Sequence, residues 1–305
     1  MDIRSIRSGF KLLFTDHVSF CSGVWTVFHH VLSDKIHLKV LFPRKVGYKL
    51  NLKNPRTFNE KLNWLKLYNR KPEYTMMVDK YAVKDYVAKT IGKQYVVPCI
   101  GVWDNADDIN FDELPNQFVL KANHNSCSTL VCKDKSKLKD IDSIRKEFNH
   151  SLGKNLFYLL GEWPYKNVPP KVFAEKFLDD HMDNELQDYK WWCFDGKPTY
   201  MYQSIKRKEV YENFYDMDYN VVEIDHGWPR RKPEFEKPAA FEEMKSLAAK
   251  LSAGIPFVRV DFFYVDGKVL ACHPLHIGRT DREGGTAGIP RFGRQHQPAV
   301  PVPGR

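Results

Sequence analysis

At 305 residues and 43% hydrophobic content, the chain is long enough to bury one large core or two coupled ones, which excludes general disorder. Its formal charge of +9 and isoelectric point near 9.1 point to an acidic partner: nucleotide phosphates, nucleic acid, anionic lipid headgroups or a uronic-acid polymer. Six cysteines without a CxxC pair argue against a disulfide scaffold or a structural zinc site and fit a reducing cytoplasm.

The N-terminus places Arg4, Arg7 and Lys11 before an apolar stretch over 18–31 that Ser, Cys, Gly, Thr and two His interrupt. It reads as a packed or interfacial helix, leaving peripheral association with the inner face of a membrane open. Thr57 followed by Glu60 has capping-box spacing, and Phe58, Leu62 and Leu65 share a helical face, so a helix is predicted over 58–69. A second helix is predicted over 79–91 from Val83, Tyr86, Val87 and Ile91, with Gly92 as its stop. Strands are predicted over 95–102, 118–122, 128–132, 171–178, 189–194, 199–205 and 257–265, interrupted by helices over 142–152 and 239–253. The connections between strands are too short for parallel crossovers, so the fold class is α+β, an antiparallel sheet with helices on one side.

The last 35 residues hold six Gly, five Pro and five Arg but no Lys, whereas residues 1–270 hold 32 Lys and ten Arg. No periodic apolar face runs through this tail, which predicts a disordered or loosely attached segment. A natural extension and a shifted reading frame both account for the change of composition.

Four segments carry chemistry. Phe118-Val-Leu-Lys121-Ala-Asn-His124-Asn-Ser126 is a strand ending in a lysine and a polar loop, suited to clamping phosphate, although a surface hairpin reads the same way. In Val172-Phe-Ala-Glu175-Lys176-Phe177-Leu178 a strand enters an acidic stretch reaching Asp188. Backbone groups at 176–178 suit an adenine edge and a carboxylate farther on suits ribose; an edge strand with a solvated loop is the plainer reading. Asp188-Tyr-Lys190-Trp191-Trp192 places Lys190 among aromatics, pointing to a cleft or solvent, while both tryptophans read as core. In Phe257-Val-Arg259-Val-Asp261-Phe, Arg259 and Asp261 share one face of an apolar strand, where they must meet each other, a metal or a ligand.

In this order, and with Asn54-Pro-Arg-Thr-Phe-Asn-Glu-Lys61 and Asp79-Lys-Tyr81 ahead of them, these motifs resemble the ATP-grasp superfamily and its TupA-like branch, over about 38–270. The resemblance implies two lobes of antiparallel sheet that hold ATP between them: an N-terminal helical and α+β region over 1–93, a small lobe over 94–170, a large lobe over 171–270 and the tail over 271–305. It implies phosphate contacts from Lys121 and Lys190 with the His124–Ser126 loop. Adenine would lie at Glu175, Lys176, Phe177 and Leu178, ribose near Asp188, magnesium on Asp261, and Arg259 with Lys190 would serve catalysis.

The implied chemistry is ATP-dependent joining of a carboxylate to an amine through an acyl phosphate. The implied setting is bacterial surface-polysaccharide assembly, with an anionic polymer or its lipid-linked precursor as acceptor and an amino acid or amine as donor. Two departures stand out. Asn125 occupies a position where the family tends to have glycine, and Ala271-Cys-His-Pro-Leu275 lacks the glutamate metal ligand that the resemblance implies; His273 and Glu283 are poor substitutes. A nucleotide-binding protein without turnover and a glycosyltransferase of the same pathway are the alternatives. Nucleic-acid binding is disfavoured, since the basic residues are scattered and the aromatics sit on core-like strands.

Overall fold

The computed structural model describes residues 33–125, 128–179, 186–206, 210–272, 275–277 and 291–292, and its strand ladders are all antiparallel. Helix α1 spans Asp34–Val46 and α2 spans Phe58–Tyr68. The start of α2 is a capping box: the Thr57 hydroxyl accepts the Glu60 N–H at 3.2 Å, and the Glu60 carboxylate accepts the Thr57 N–H at 3.0 Å. Phe58, Leu62 and Leu65 are buried from this helix, as their spacing predicts.

The helix expected over 79–91 starts four residues later, as α4 (Val83–Thr90), and a separate short helix, α3 (Glu73–Val78), precedes it. Asp79 divides them because its carboxylate accepts the N–H groups of Tyr81 and Ala82 at 2.8 and 3.1 Å. Gly92 then ends the helical run at φ 119°.

Strands β1 (Cys99–Trp103), β2 (Phe118–Ala122), β3 (Thr129–Cys132) and β4 (Val172–Lys176) form a sheet in the order β1-β4-β2-β3. The first strand begins later than expected, since residues 93–95 form a 3-10 turn and Pro98, lacking an N–H, precedes it. Helices α5 (Ile141–Leu152) and α6 (Leu156–Leu160) lie between β3 and β4, and Phe148 of α5 joins Phe118, Leu120, Val172 and Ala174 in the core of this sheet. Because β4 is hydrogen-bonded between β1 and β2, the expected lobe boundary at 170/171 is displaced. The division between sheets falls between Lys176 and Asp188.

The second sheet has the order β11-β10-β5-β6-β7-β8, with β12 also on β10. Its members are β5 (Asp188–Phe194), β6 (Lys197–Lys206), β7 (Val210–Tyr215), β8 (Val221–Val222), β10 (Phe257–Val265), β11 (Lys268–Ala271) and β12 (His276–Ile277). Asp195-Gly196 and Asp266-Gly267 close the β5–β6 and β10–β11 hairpins with positive φ at both residues (51° and 74°; 51° and 72°), the backbone that Asp-Gly favours.

Helix α7 (Phe241–Leu251) covers one face of this sheet, packing Met244, Leu247, Ala248 and Leu251 on Trp191, Val258, Val260 and Phe262. On the opposite face Trp192, Phe194, Tyr202, Phe214 and Phe257 pack on Phe58, Leu62 and Leu65 of α2. Trp191 and Trp192 thus anchor opposite faces from adjacent positions, as the period of a strand requires.

Within the tail, residues 271–272, 275–277 and 291–292 are described, and they make contacts with the rest of the chain. His276–Ile277 pairs with β10, the buried Leu275 donates its N–H to the Met77 carbonyl at 2.9 Å, and β13 (Arg291–Phe292) pairs with β9 (Ile224–Asp225). The apolar stretch 18–31, Ser126, His273 and Glu283 lie outside the described residues. Among the described residues no helix is long and apolar enough to cross a membrane.

Candidate active site

A small pocket of about 10 Å³ lies between the two larger sheets, lined by Lys80, Val83 and Lys84 from the α3–α4 region, Glu175 of β4, and Ala271 and Cys272 at the end of β11. On the smaller-sheet side, Val119 pairs with Glu175, so Lys121, two residues along β2, lies diagonally across from that carboxylate on the same face. Its ammonium meets Glu175 Oε2 at 2.5 Å, while Lys84 reaches Oε1 at 2.5 Å. Burial alone would raise the carboxyl pKa; Lys121 and Lys84 outweigh burial and hold it below the usual glutamate value.

The loop after β2 is fixed from both sides by Asn123, which is fully buried. Its amide donates to Asp79 Oδ2 and to the Pro169 carbonyl, both at 2.9 Å, and its oxygen accepts the Lys171 N–H at 2.8 Å. Lys80, one residue after Asp79, donates its backbone N–H to the Asn123 carbonyl at 3.0 Å, and its ammonium donates to the Ala122 and Asn125 carbonyls. Positive φ among described non-glycine residues is confined to Asp195, Tyr219 and Asp266, so Asn125 needs no left-handed backbone in place of a glycine.

On the larger-sheet side, strand register builds a charged lane on the face turned away from α7. Lys190 lies opposite both Asp261 and Tyr202; Asp188 lies opposite Ser204, which lies opposite Glu212; Arg259 lies opposite Trp192 and His276. Arg259 holds Asp261 through Nε at 2.6 Å and a second nitrogen at 2.5 Å, with the residues 3% and 1% exposed. Burial opposes the guanidinium charge, but Asp261 outweighs it and raises the Arg259 pKa. Lys190 pairs with Asp188 at 2.5 Å and reaches Ser204 Oγ at 3.3 Å. The Cys272 thiol lies 4.0 Å from Asp188 Oδ1, and burial, then Asp188 and Asp261, push its pKa well above the usual thiol value. At the far end, His226 pairs with Glu212 at 2.7 Å amid Trp192, Tyr202 and Phe214.

The structure therefore brings Lys121 to Glu175, Lys190 to Asp188 and Arg259 to Asp261. Three expectations change. His124 is buried with Nδ1 3.1 Å from Asn123 Oδ1 and Nε2 3.2 Å from the Ser151 carbonyl, so its ring anchors the loop instead of presenting a nitrogen to phosphate. The N–H of Lys176 donates to the Pro98 carbonyl at 3.0 Å and so is not open to an adenine edge, while Phe177 and Leu178 are half-buried and irregular. Asp261 has both oxygens occupied by Arg259, and no cluster of three metal-ligating side chains occurs among the described residues, so the described donors do not fit a magnesium ion. Lys84, His276 and the Glu212–His226 pair were not singled out by the sequence. A lysine on α4 gives no local sign of a partner on β4, whereas the Asp79-Lys80-Tyr81 triplet marked Lys80's segment without giving it a role.

The family model for TupA-like ATPgrasp matches residues 60–272. No curated protein matches the chain. Among solved structures, the ATP-grasp ligase PsnB with its minimal precursor is 12% identical, with a TM-score of 0.41 over 73% of this chain and 60% of that one. D-alanine--D-alanine ligase from Bacillus anthracis complexed with ATP is 19% identical, with a TM-score of 0.38 over 66% of this chain and 55% of that one. Biotin carboxylase from Campylobacter jejuni, as a β-γ-ATP complex, is 12% identical, with a TM-score of 0.42 over 68% of this chain and 42% of that one. The chain thus spans three fifths or less of the length of each of these structures. With two large antiparallel sheets and the family model matched over most of its length, the chain belongs to the TupA-like ATP-grasp family.

Proposed function

We propose that this chain binds ATP between its two larger sheets and joins a carboxylate to an amine. The observation that carries this reading is the buried Lys84–Glu175–Lys121 cluster beside Lys80, where two ammonium groups share one carboxylate at the mouth of a strand-to-loop turn. That excess of positive charge, screened from water, favours a phosphate chain. Lys121 and Lys190 contact the phosphates from opposite sheets, the backbone of Phe177 and Leu178 reads adenine, and Asp188 lies near ribose. A carboxylate oxygen of the acceptor attacks the γ-phosphorus and ADP leaves; the amine nitrogen then attacks the acyl carbon, inorganic phosphate leaves with the C–O bonding pair, and the amine loses a proton. Arg259 and Lys190 offset charge on the transferred phosphoryl group. The family and the net charge of +9 favour an anionic surface polysaccharide or its lipid-linked precursor as acceptor, with an amino acid as donor.

Calorimetric titration with ATP, with and without magnesium, tests the reading. Loss of one charge-assisted bond to phosphate in Lys121→Ala should weaken ATP binding by about 10- to 100-fold. Absence of ATP binding by the unaltered chain would remove the nucleotide assignment. A second reading, nucleotide binding without turnover, is favoured by the Arg259 grip on Asp261 and by Ala271–Cys272 offering no carboxylate. ATP binding that is indifferent to magnesium, with no ADP formed, would select it.

A further inference from the structure

Glu175 is 4% exposed and each of its oxygens holds a different lysine. The two lysines are not held alike. Lys84 stands on α4, whose Val83 and Val87 are buried, and its ammonium also donates to the Val97 carbonyl at 2.8 Å and lies 5.9 Å from the centroid of the Phe173 ring. Lys121 stands one residue before the end of β2, and its described hydrogen bond is the one to Glu175. If Lys121 turned to a ligand and Lys84 were absent, a buried carboxylate would stand uncompensated beside an incoming anion, the costliest arrangement for such a group.

We propose that Lys84 is a positioning residue: it keeps Glu175 compensated while Lys121 exchanges that carboxylate for a nucleotide phosphate. The inference rests on the ATP-binding reading and adds a residue that the reading alone does not require. Glu175 then serves as an internal stand-in for the anion, holding Lys121 in place before the nucleotide arrives. Lys84 sets how readily that stand-in releases it. Neutralising Glu175 should make Lys84 dispensable, because no buried carboxylate then remains to be compensated.

The test is ATP titration of the full chain in the unaltered form, Lys84→Met, Lys84→Arg, Glu175→Gln and the double variant Lys84→Met/Glu175→Gln, with thermal midpoints measured in parallel. Lys84→Met should weaken ATP binding by about tenfold or more, the step expected when a buried charge loses its remaining partner. Lys84→Arg should stay within about threefold of the unaltered chain, and the double variant within about threefold of Glu175→Gln. A merely structural lysine would lower the midpoint without any recovery of affinity on neutralising Glu175. Should Lys84→Met fail to fold, Lys84→Gln carries the same expectation. Unchanged affinity in Lys84→Met, or a loss that persists undiminished in the double variant, overturns the inference while leaving the ATP reading intact. An unaltered chain that does not bind ATP overturns both.

Discussion

The two larger sheets handle buried charge differently. On the smaller sheet, two lysines share Glu175, whereas on the larger sheet Arg259 is matched to Asp261 and Lys190 to Asp188. A matched pair in a dry environment satisfies itself and offers little to a newcomer; an unmatched cluster keeps an electrostatic vacancy for an anion. The contrast teaches that two ammonium groups on the smaller-sheet side compete for one carboxylate, while on the larger sheet Arg259 and Lys190 each have a carboxylate of their own.

The strongest way to break that contrast is to unmatch the larger sheet. Asp261→Leu removes the carboxylate that the buried Arg259 guanidinium grips and should cost about 3–5 kcal/mol in urea unfolding, whereas Arg259→Met/Asp261→Leu should recover most of that loss. Equal losses in the single and double variants would show that the pair is not what stabilises this face.

A smaller effect is expected from the loop that positions Lys80 and Lys121. Asn123→Leu strips hydrogen bonds from Asp79, Pro169 and Lys171 and should destabilise the chain by about 1–3 kcal/mol, with weaker ATP binding alongside. A loss of stability with ATP affinity unchanged would separate the loop from the nucleotide.

The smallest effect sharpens the comparison by pH. Burial lowers the His124 pKa, so the folded chain resists its protonation. Its contribution is complete above the ordinary histidine value of about 6.5 and declines as pH falls from there toward the lowered folded value. Urea midpoints measured from about pH 8 to about pH 5 should decline at the acid end, and His124→Gln should flatten that decline. An unaltered slope in the variant would assign the acid sensitivity elsewhere.

Much of the fold was legible where local chemistry and tertiary structure agree. Thr57 and Glu60 form the capping box their spacing predicts, and both Asp-Gly pairs make the hairpins they favour. Strand β7 escaped notice because Glu212 and Asn213, which dilute its apolar pattern, are buried on polar partners: Glu212 on His226, and Asn213 on the Arg231 backbone at 3.2 and 2.8 Å. The candidate site was half legible. Arg259 and Asp261 announce themselves as two charges two positions apart on an apolar strand, so their meeting follows from the period of the strand. Lys84 meets Glu175 only through the packing of α4 on another sheet, and no local pattern encodes a contact of that range. The placement of β4 failed for the same reason: its neighbours in space are β1 and β2, while its neighbour in sequence is β5.

The position of β10 bears on how the chain is made. It pairs with the whole length of β5, from Phe257 opposite Phe194 to Phe263 opposite Asp188, yet residues 195–256 are translated between the two strands. As β5 leaves the ribosome, the backbone edge beside Trp191 and Trp192 has no mate. The hairpin with β6 can cover only its other side. An unpaired edge of this kind is a template for mispairing with another nascent chain, so the larger sheet has a vulnerable interval during translation that ends when β10 arrives.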